Sequence, residues 1–207
     1  MDTVTPCENT HGIPANRSFT RVSDCWPRTH GPQWTRKRLD SAETMAGMTM
    51  WTITPAPIDD IDVTLVMRDY MVEIASRYYG RPVTDDELEA SLAVAPLTGL
   101  EPPTGVFLLA RNNGKIAGCV GVRVVTPGLA ELTKMFVQPH SRREGGGSQL
   151  LAAAEDAARA LGATTIRLDT RSDLTEARAM YARHGYTETP PHNADQYAEH
   201  WFRKSLI

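Results

Sequence analysis

The chain has 207 residues, enough for one domain with or without an appendage, and its 41% hydrophobic and 23% charged residues are typical of a globular protein. Its formal net charge of -3 argues against DNA or RNA as the main partner, but leaves room for a local basic pocket that binds an acidic small molecule. Its three scattered cysteines do not suit a disulfide framework and indicate a reducing, cytoplasmic setting. No run approaches the ~18–20 consecutive apolar residues of a membrane span, so we expect no membrane association.

The first part of the chain lacks helical or strand periodicity and is interrupted by prolines. We therefore predict a disordered extension over residues 1–50 and a folded domain over residues 51–207. Residues 17–38 are basic with two interleaved tryptophans, which is the composition of a weak nucleic-acid or partner arm, although a solvated tail is the favoured interpretation. A mis-called translation start is a further hypothesis, because three methionines cluster where periodic sequence begins: Met45, Met48 and Met50.

A short strand and two helices are predicted at the start of the folded part. Alternation over residues 51–54 indicates the strand. Asp60, or the aspartate before it, offers an N-cap to an amphipathic helix that Gly80 ends. Thr84 and Glu87 have the spacing of a capping box, which predicts the start of a second helix.

Three strand-like runs follow these helices. The Asn-Gly pair at residues 113–114 favours a tight type I′ hairpin between the first two runs, and a Pro-Gly turn precedes the third. We therefore predict an antiparallel meander, with its strands at 105–111, 116–125 and 129–137.

The periodicity changes after the meander. A basic, glycine-rich loop over residues 138–148 leads into a helix that Gly162 ends. An alternating strand over residues 164–169 precedes another helix, for which we expect Asp173 and Glu176 to act as caps. Two short strands complete the chain, at 186–189 and 199–206.

The strand, glycine loop and helix form an arrangement suited to a phosphate, because a helix N-terminus exposes N–H groups and glycines allow a close approach. A Walker A loop is excluded, since no Gly-Lys-Ser/Thr follows. The dinucleotide fingerprint nearly fits: Gly145 and Gly147 supply two glycines and Asp169 stands where a ribose-binding acid belongs. Yet Leu150 takes the third glycine's place, and the chain ends too soon for further crossover units. An NAD- or S-adenosylmethionine-dependent enzyme is therefore the less favoured alternative.

Another pattern, Arg/Gln-x-x-Gly-x-Gly/Ala, is matched by residues 142–147 (RREGGG). The segments AELTKMFVQP at residues 130–139 and EARAMYARHGY at residues 176–186 flank it. In this order and spacing the three segments resemble the GCN5-related N-acetyltransferase (GNAT) family, over about residues 51–207. The resemblance implies an α/β fold with three α/β/α layers, in which a mixed, mostly antiparallel sheet has helices on both faces.

The resemblance also implies acetyl-CoA as acyl donor. The glycine loop would hold the pyrophosphate through backbone N–H groups, with two arginines as charge partners. The end of the third meander strand would separate from its neighbour, so that the pantetheine arm pairs with it as an extra strand would. The amide of Val137 is then a candidate oxyanion donor. The implied cofactor-binding residues are Met135, Phe136, Val137, Arg142, Arg143, Glu144, Gly145, Gly146, Gly147, Ser148 and Tyr181.

The implied reaction is direct acetyl transfer to a primary amine of a small molecule or a peptide. Tyr181 lies where the family has its general acid; without the resemblance it would be interpreted as a core tyrosine on an apolar helix face. Glu131 is the candidate base, with an exposed strand carboxylate and a substrate-ammonium anchor as alternatives of about equal weight. Many relatives have an asparagine before the last helix, whereas this chain has Arg171-Ser172-Asp173-Leu174, which puts that cofactor contact in doubt.

Several alternatives stay open from the sequence. A non-catalytic sensor that binds acyl-CoA and signals through a partner would use the same cofactor residues. The sequence does not identify the acceptor amine. It also leaves the oligomeric state open, a homodimer included. The histidines show no metal-ligand spacing, and Cys119 within a predicted strand is interpreted as a small core residue.

Overall fold

The computed structural model describes residues 50–207. Apart from Met50, the predicted extension, its basic stretch and the alternative start lie outside the described residues. None of the helices in the described part is long and apolar enough to cross a bilayer. In chain order the elements are β1 (Trp51–Pro55), α1 (Ile61–Tyr79), α2 (Asp85–Ala93), β2 (Gly105–Asn112), β3 (Lys115–Thr126), β4 (Leu129–Val137), α3 (Gly146–Ala160), β5 (Thr165–Thr170), α4 (Thr175–Arg183), β6 (Thr187–Thr189) and β7 (His200–Ser205).

The strands form one sheet of seven strands in the order β1-β2-β3-β4-β5-β7-β6. All neighbours are antiparallel except β4 and β5, which are parallel. The predicted meander is β2–β3–β4, and both residues of its first turn have positive φ, 50° at Asn113 and 80° at Gly114, as a type I′ turn requires. The predicted mixed, mostly antiparallel sheet is confirmed.

Helices cover both faces of this sheet, as predicted. Alternation along β2 sends Leu108 and Ala110 to one face and Phe107 and Leu109 to the other. The first face packs against α3 around Leu150, Leu151, Ala154 and Ala158. The second packs against α1, in a cluster that includes Val63, Val66, Met67, Cys119 and Phe136. Cys119 is fully buried and is therefore a core residue, as expected.

The helix ends follow the capping residues of the sequence, with one exception. The Asp60 carboxylate accepts a hydrogen bond from the amide of Asp62 at 2.8 Å and starts α1. Thr84 and Glu87 form both hydrogen bonds of the predicted capping box before α2. For α4 the predicted caps are wrong, because Leu174 is the N-cap residue and no described side chain caps the helix.

The two carboxylates expected to cap α4 are both bound to arginines instead. Asp173 accepts hydrogen bonds from Arg171 at 2.8 and 2.6 Å, and Glu176 accepts one from Arg77 at 2.5 Å. Asp173 is bound by an arginine two residues before it, and Glu176 by an arginine of α1, so in both cases an ion pair takes the carboxylate that was expected to cap the helix.

Candidate functional site

A gap between two parallel strands is the starting point of the site. β4 and β5 pair only over three residues of each, ending at Glu131 with Arg167. The β3–β4 register then shifts, so that Lys134 and Met135 together lie opposite Val120. Lys134 has φ of 55°, and such a bulge bends its strand. The end of β4 therefore diverges from β5, which is the separation that the sequence predicts.

The register of β4 also sets the direction of its backbone groups. The amide of Gln138 donates to the carbonyl of Ala117 at 2.9 Å, which makes the neighbouring Gly118–Val137 pair a non-hydrogen-bonded one. The N–H and C=O of Val137 therefore point away from β3, and by alternation so do those of Met135. The amides of both residues and the carbonyl of Met135 face the open side of β4, where an extended ligand can pair with them, whereas the carbonyl of Val137 already accepts a hydrogen bond from Nε of Arg142 at 2.9 Å.

The glycine loop follows the end of β4 and leads into α3. Gly145 is the N-cap residue with φ of 82°, a conformation that costs little only for glycine. A Cβ on Gly146 would lie 2.0 Å from Cη2 of Trp51, and one on Gly147 would lie 3.1 Å from Sδ of Met180. No described side chain caps α3, so its first-turn N–H groups are available to an anion.

The two arginines before the loop differ in their surroundings. The Arg142 guanidinium donates to Glu73 of α1 at 2.5 Å and to the carbonyl of Val137 at 2.9 Å, and it lies 6.0 Å from the ring centre of Phe136. Arg143 is exposed and forms no ion pair with residues 50–207. Of the two expected charge partners, Arg143 is thus the one that is free to meet an anion, while Arg142 ties β4 to α1.

Two hydrogen bonds hold the rims of the loop. Asn112 at the end of β2 donates to Glu144 at 2.5 Å. The hydroxyl of Ser148 lies 2.9 Å from Nε2 of His184 at the end of α4. The loop is therefore fixed to both of its neighbouring elements through its polar side chains.

A cavity of about 280 Å³ continues from the gap between β4 and β5. Helices α1 and α2 supply one wall, and α4 supplies Tyr181. Tyr181 is 5% exposed, and its ring centre lies 5.7 Å from that of Tyr186 and 5.9 Å from that of Phe202. Burial raises the pKa of Tyr181 above its ordinary value, so the phenol is protonated at neutral pH.

Glu131 also lines the cavity, and both of its carboxylate oxygens are occupied. One oxygen accepts from Arg123 at 3.1 and 2.6 Å, and the other accepts from Arg167 at 3.1 and 2.9 Å. Burial by itself would raise the pKa of Glu131, but the hydrogen bonds and charges of the two arginines lower it. Glu131 is 7% exposed, so the alternative of an exposed strand carboxylate is wrong.

Asp169 is a carboxylate of the cavity that the sequence reasoning connected only with a ribose. It accepts a hydrogen bond from Nδ2 of Asn193 at 2.8 Å, and Oδ1 of Asn193 accepts one from Trp201 at 2.8 Å. Burial raises the pKa of Asp169 above its ordinary value, although the hydrogen bond from Asn193 opposes this. Strand alternation would have found it, since Asp169 and Arg167 lie opposite the core side chains of Ile166 and Leu168.

Lys134 and Tyr70 are further cavity residues that the sequence reasoning missed. Lys134 owes its place to the bulge, which no turn or glycine announces in the sequence. Burial raises the pKa of Tyr70, whose ring stands edge-on to Phe136 at 5.9 Å. Neither residue belongs to a motif, so only the packing of α1 against β4 brings them together.

Arg171 lies in the segment before the last helix, where many relatives have an asparagine, and its role here is structural. Arg171 is 9% exposed, and its guanidinium donates to the carbonyl of Ile74 at 3.1 Å and lies 5.7 Å from the ring centre of Tyr78. It also pairs with Asp173. Arg171 therefore links β5 and α4 to helix α1 across one end of the cavity.

Comparisons with known proteins agree with this geometry. A family model described as the acetyltransferase (GNAT) family matches residues 68–186. The IAA acetyltransferase of Azospirillum brasilense is 32% identical over 137 residues, which are 66% of this chain and 83% of that protein. A GNAT-family acetyltransferase structure from Staphylococcus aureus gives a TM-score of 0.60 at 17% identity and covers 76% of this chain and 100% of that chain. The PaiA N-acetyltransferase of Thermoplasma acidophilum, solved in complex with coenzyme A, gives 0.58 at 18% identity over 75% and 99%.

Proposed function

Because the chain belongs to the acetyltransferase (GNAT) family, we propose that this acyltransferase moves the acetyl group of acetyl-CoA directly to a primary amine of a small molecule or peptide. The observation that carries the proposal is the divergence of β4 from β5, which turns the amides of Met135 and Val137 toward an open gap. The glycine loop at the start of α3 lies at the same end of the sheet.

The residues present fit this acyl donor. The unpaired edge of β4 suits an extended amide-containing arm such as pantetheine. The uncapped N–H groups at Gly147 and Ser148, with exposed Arg143 beside them, suit a pyrophosphate. Trp51 packs against buried Gly146 and leaves no space for a side chain there, which fixes the start of α3.

The chemistry requires a free amine, a stabilised carbonyl oxygen and a protonated leaving group. Acetyl-CoA supplies an activated thioester when bound. In the transfer the C–N bond forms and the C–S bond breaks. The amide of Val137 donates to the oxygen that gains negative charge. Tyr181 donates its phenolic proton to the departing thiolate and is reprotonated by the proton that the nitrogen loses as it becomes an amide.

Asp169 is the base of this proposal. Its pKa is raised by burial, and a carboxylate with a raised pKa holds a proton better near neutral pH than an ordinary one. Glu131 stays a prediction for this role, but its lowered pKa and its two arginine partners favour an anchoring role instead. The proton lost by the acceptor ammonium therefore goes to Asp169, directly or through water.

Two measurements test the proposal. Isothermal titration calorimetry of the full chain with acetyl-CoA is expected to show binding at one site, and NAD is expected to show none. Thiol release from acetyl-CoA across a panel of primary amines is expected to exceed the rate without amine. Absence of acetyl-CoA binding would overturn the whole proposal. Binding without turnover of any amine would leave an acyl-CoA sensor in its place.

A further inference from the structure

The acceptor side of the cavity holds a lysine that lies apart from acidic groups. Lys134 is placed by the β4 bulge and lines the cavity together with Glu131 and Asp169. Within residues 50–207, no carboxylate oxygen lies within 4.0 Å of its ammonium group. A lysine this enclosed usually has an acidic partner, so the ammonium is free to meet a ligand anion.

A second cation adjoins Lys134. Arg123 of β3 uses Nε and Nη2 to bind Glu131, which leaves its Nη1 donors without a hydrogen bond to the described residues. Burial lowers the pKa of Lys134, and the positive charge of Arg123 lowers it further. Arg123 itself does not line the cavity, and its side chain is 46% exposed. An anion bound at Lys134 would favour the charged form of its ammonium group.

The aspartates near Lys134 do not pair with its ammonium group. Asp195 and Asp169 oppose the lowering of the Lys134 pKa, but Asp169 is bonded to Asn193 and Asp195 accepts from the amide of Tyr197 at 2.8 Å. Both are therefore held by their own neighbours and not by Lys134. The other cation that lines the cavity, Arg171, is paired with Asp173, so Lys134 is the lining cation that remains for a ligand anion.

We infer that the acceptor is an amino carboxylic acid, whose carboxylate binds Lys134 while its amino group faces Asp169. The volume of about 280 Å³ suits a small molecule of this kind. The inference rests on the proposed function, since it names the class of amine that the enzyme acetylates. Lys134 would then set specificity, and a neutral isostere of the carboxylate would be a poor substrate.

Matched pairs of acceptors test this with the full chain. Glycine and β-alanine are compared with glycinamide and β-alaninamide, which have the same skeleton without the negative charge. The kcat/KM of the acids is expected to exceed that of the amides by at least about 30-fold, as for charge-assisted hydrogen bonds. Amides used as well as the acids would overturn the inference and leave acetyl transfer itself standing.

Variants locate the effect. Lys134→Met is expected to lower kcat/KM for the acids by about 30-fold and for the amides by less than threefold, whereas Lys134→Arg keeps the preference. Lys115→Met, at an exposed hairpin position, is the matched control and is expected to change neither. An equal loss for acids and amides in Lys134→Met would overturn the inference. Circular dichroism and acetyl-CoA binding check that each variant is folded.

Calorimetry with propanoate and propanamide gives a readout that does not depend on turnover. The wild-type protein is expected to bind propanoate at least about tenfold more tightly than propanamide, and Lys134→Met is expected to lose that difference. If no amine of the panel is acetylated, the proposed function fails, and this titration still judges the anion site. Equal binding of the two probes by the wild-type protein would overturn the site.

Discussion

The two halves of the cleft are built from different parts of the chain. On the proposed cofactor side the candidate binding groups belong to the backbone: the amides that β4 turns away from β3 and the first-turn N–H groups of α3. On the acceptor side they belong to side chains from several elements, among them Lys134, Asp169 and Tyr70. A backbone site depends on shape alone, whereas a side-chain site depends on which residue stands at each position. The first can therefore serve many members of a family, and the second sets what one member acts on.

Tyr181 lies where the two halves meet, and its loss is expected to have the largest effect. Tyr181→Phe removes the phenolic proton while keeping the ring that packs against Phe202, so acetyl-CoA binding should stay within a factor of about two. We expect kcat to fall by ~100-fold or more, as for loss of a general acid. Steady-state kinetics with an acceptor of the panel measure it.

Tyr186→Phe is the matched control, because its ring lies beside that of Tyr181 and its buried hydroxyl has no partner among the described residues. Removing an unpaired hydroxyl costs little, so stability and kcat are expected to stay unchanged. If both variants lost the same activity, or if neither did, the general-acid role of Tyr181 would be contradicted.

Gly146 tests whether the cofactor side depends on shape. A Cβ at this position would come within 2.5 Å of three ring atoms of Trp51, and two of those distances are 2.0 and 2.3 Å. Gly146→Ala must therefore displace either the ring or the start of α3, and we expect acetyl-CoA affinity to fall by about 100-fold. Calorimetry measures it. Gly114→Ala is the control: nothing lies near its missing Cβ, so its cost is backbone strain at φ of 80° and not a clash, and acetyl-CoA affinity is expected to stay unchanged. Unchanged affinity in Gly146→Ala would mean that the loop is not held by Trp51.

The sequence predicted the cofactor side better than the acceptor side, for a physical reason. A glycine loop before a helix and the turn at residues 113–114 are local signals, because neighbouring residues alone decide the backbone conformation there. The strands follow from alternation and were predicted with bounds within about a residue, whereas α3 begins three residues earlier than the predicted loop allows. The arrangement of helices on both faces of the sheet was implied by the resemblance to the family.

The acceptor side depends on contacts between elements distant in sequence. The bulge at Lys134 has no glycine or turn residue to announce it, and the expected cap Asp173 is taken by Arg171. From the sequence, Arg142 was likewise predicted to pair with a phosphate, but Glu73 of α1 binds its guanidinium. The pairing of Arg142 with Glu73 joins two segments distant in sequence and has no period or spacing there, whereas Asp173 pairs with an arginine only two residues before it.

The pH dependence distinguishes Asp169 from Glu131 as base. A base must be ionised, so kcat/KM falls as pH falls through its pKa; for Asp169 this limb lies above the ordinary value of ~3.9 because its pKa is raised. Asn193→Ala removes a hydrogen bond that lowers this pKa, and is therefore expected to move the acidic limb to higher pH. Asp169→Asn is expected to lower kcat by about 30-fold and abolish the limb.

An acceptor whose own amine pKa lies well above the range studied keeps its titration apart from that of the enzyme. An acidic limb that stays in place in Asn193→Ala, or one that survives in Asp169→Asn, would return the base role to Glu131.

Glu131→Gln is expected to affect stability. Removing the anion leaves Arg123 and Arg167 facing each other, and we expect a loss of about 2 kcal/mol, less than for a fully buried pair because Arg123 is half-exposed. The pKa of Glu131 is lowered in the folded protein, so its stabilising effect is present above the unfolded value of ~4.3 and is lost as pH falls through the folded pKa. Urea unfolding at neutral pH should therefore give a lower free energy of unfolding for Glu131→Gln than for the wild-type protein, and this difference should shrink below pH ~4. A difference that grew on acidification would contradict the ion-pair geometry.

The smallest effect concerns Arg142, which serves both halves of the cleft by linking the end of β4 to α1. Glu73 neutralises its charge at 2.5 Å, so Glu73→Gln leaves an uncompensated cation near the glycine loop. Acetyl-CoA affinity is expected to rise by up to about threefold at low salt and to return toward the wild-type value as salt screens the charge over ~10 Å. Glu89→Gln is the matched control. It removes the partner of Arg68, a pair between α2 and α1 at 2.8 Å, and should not change acetyl-CoA affinity. If Glu73→Gln bound acetyl-CoA more weakly than the wild-type protein, the contact that holds Arg142 against α1, and not the charge of Arg142, would support cofactor binding.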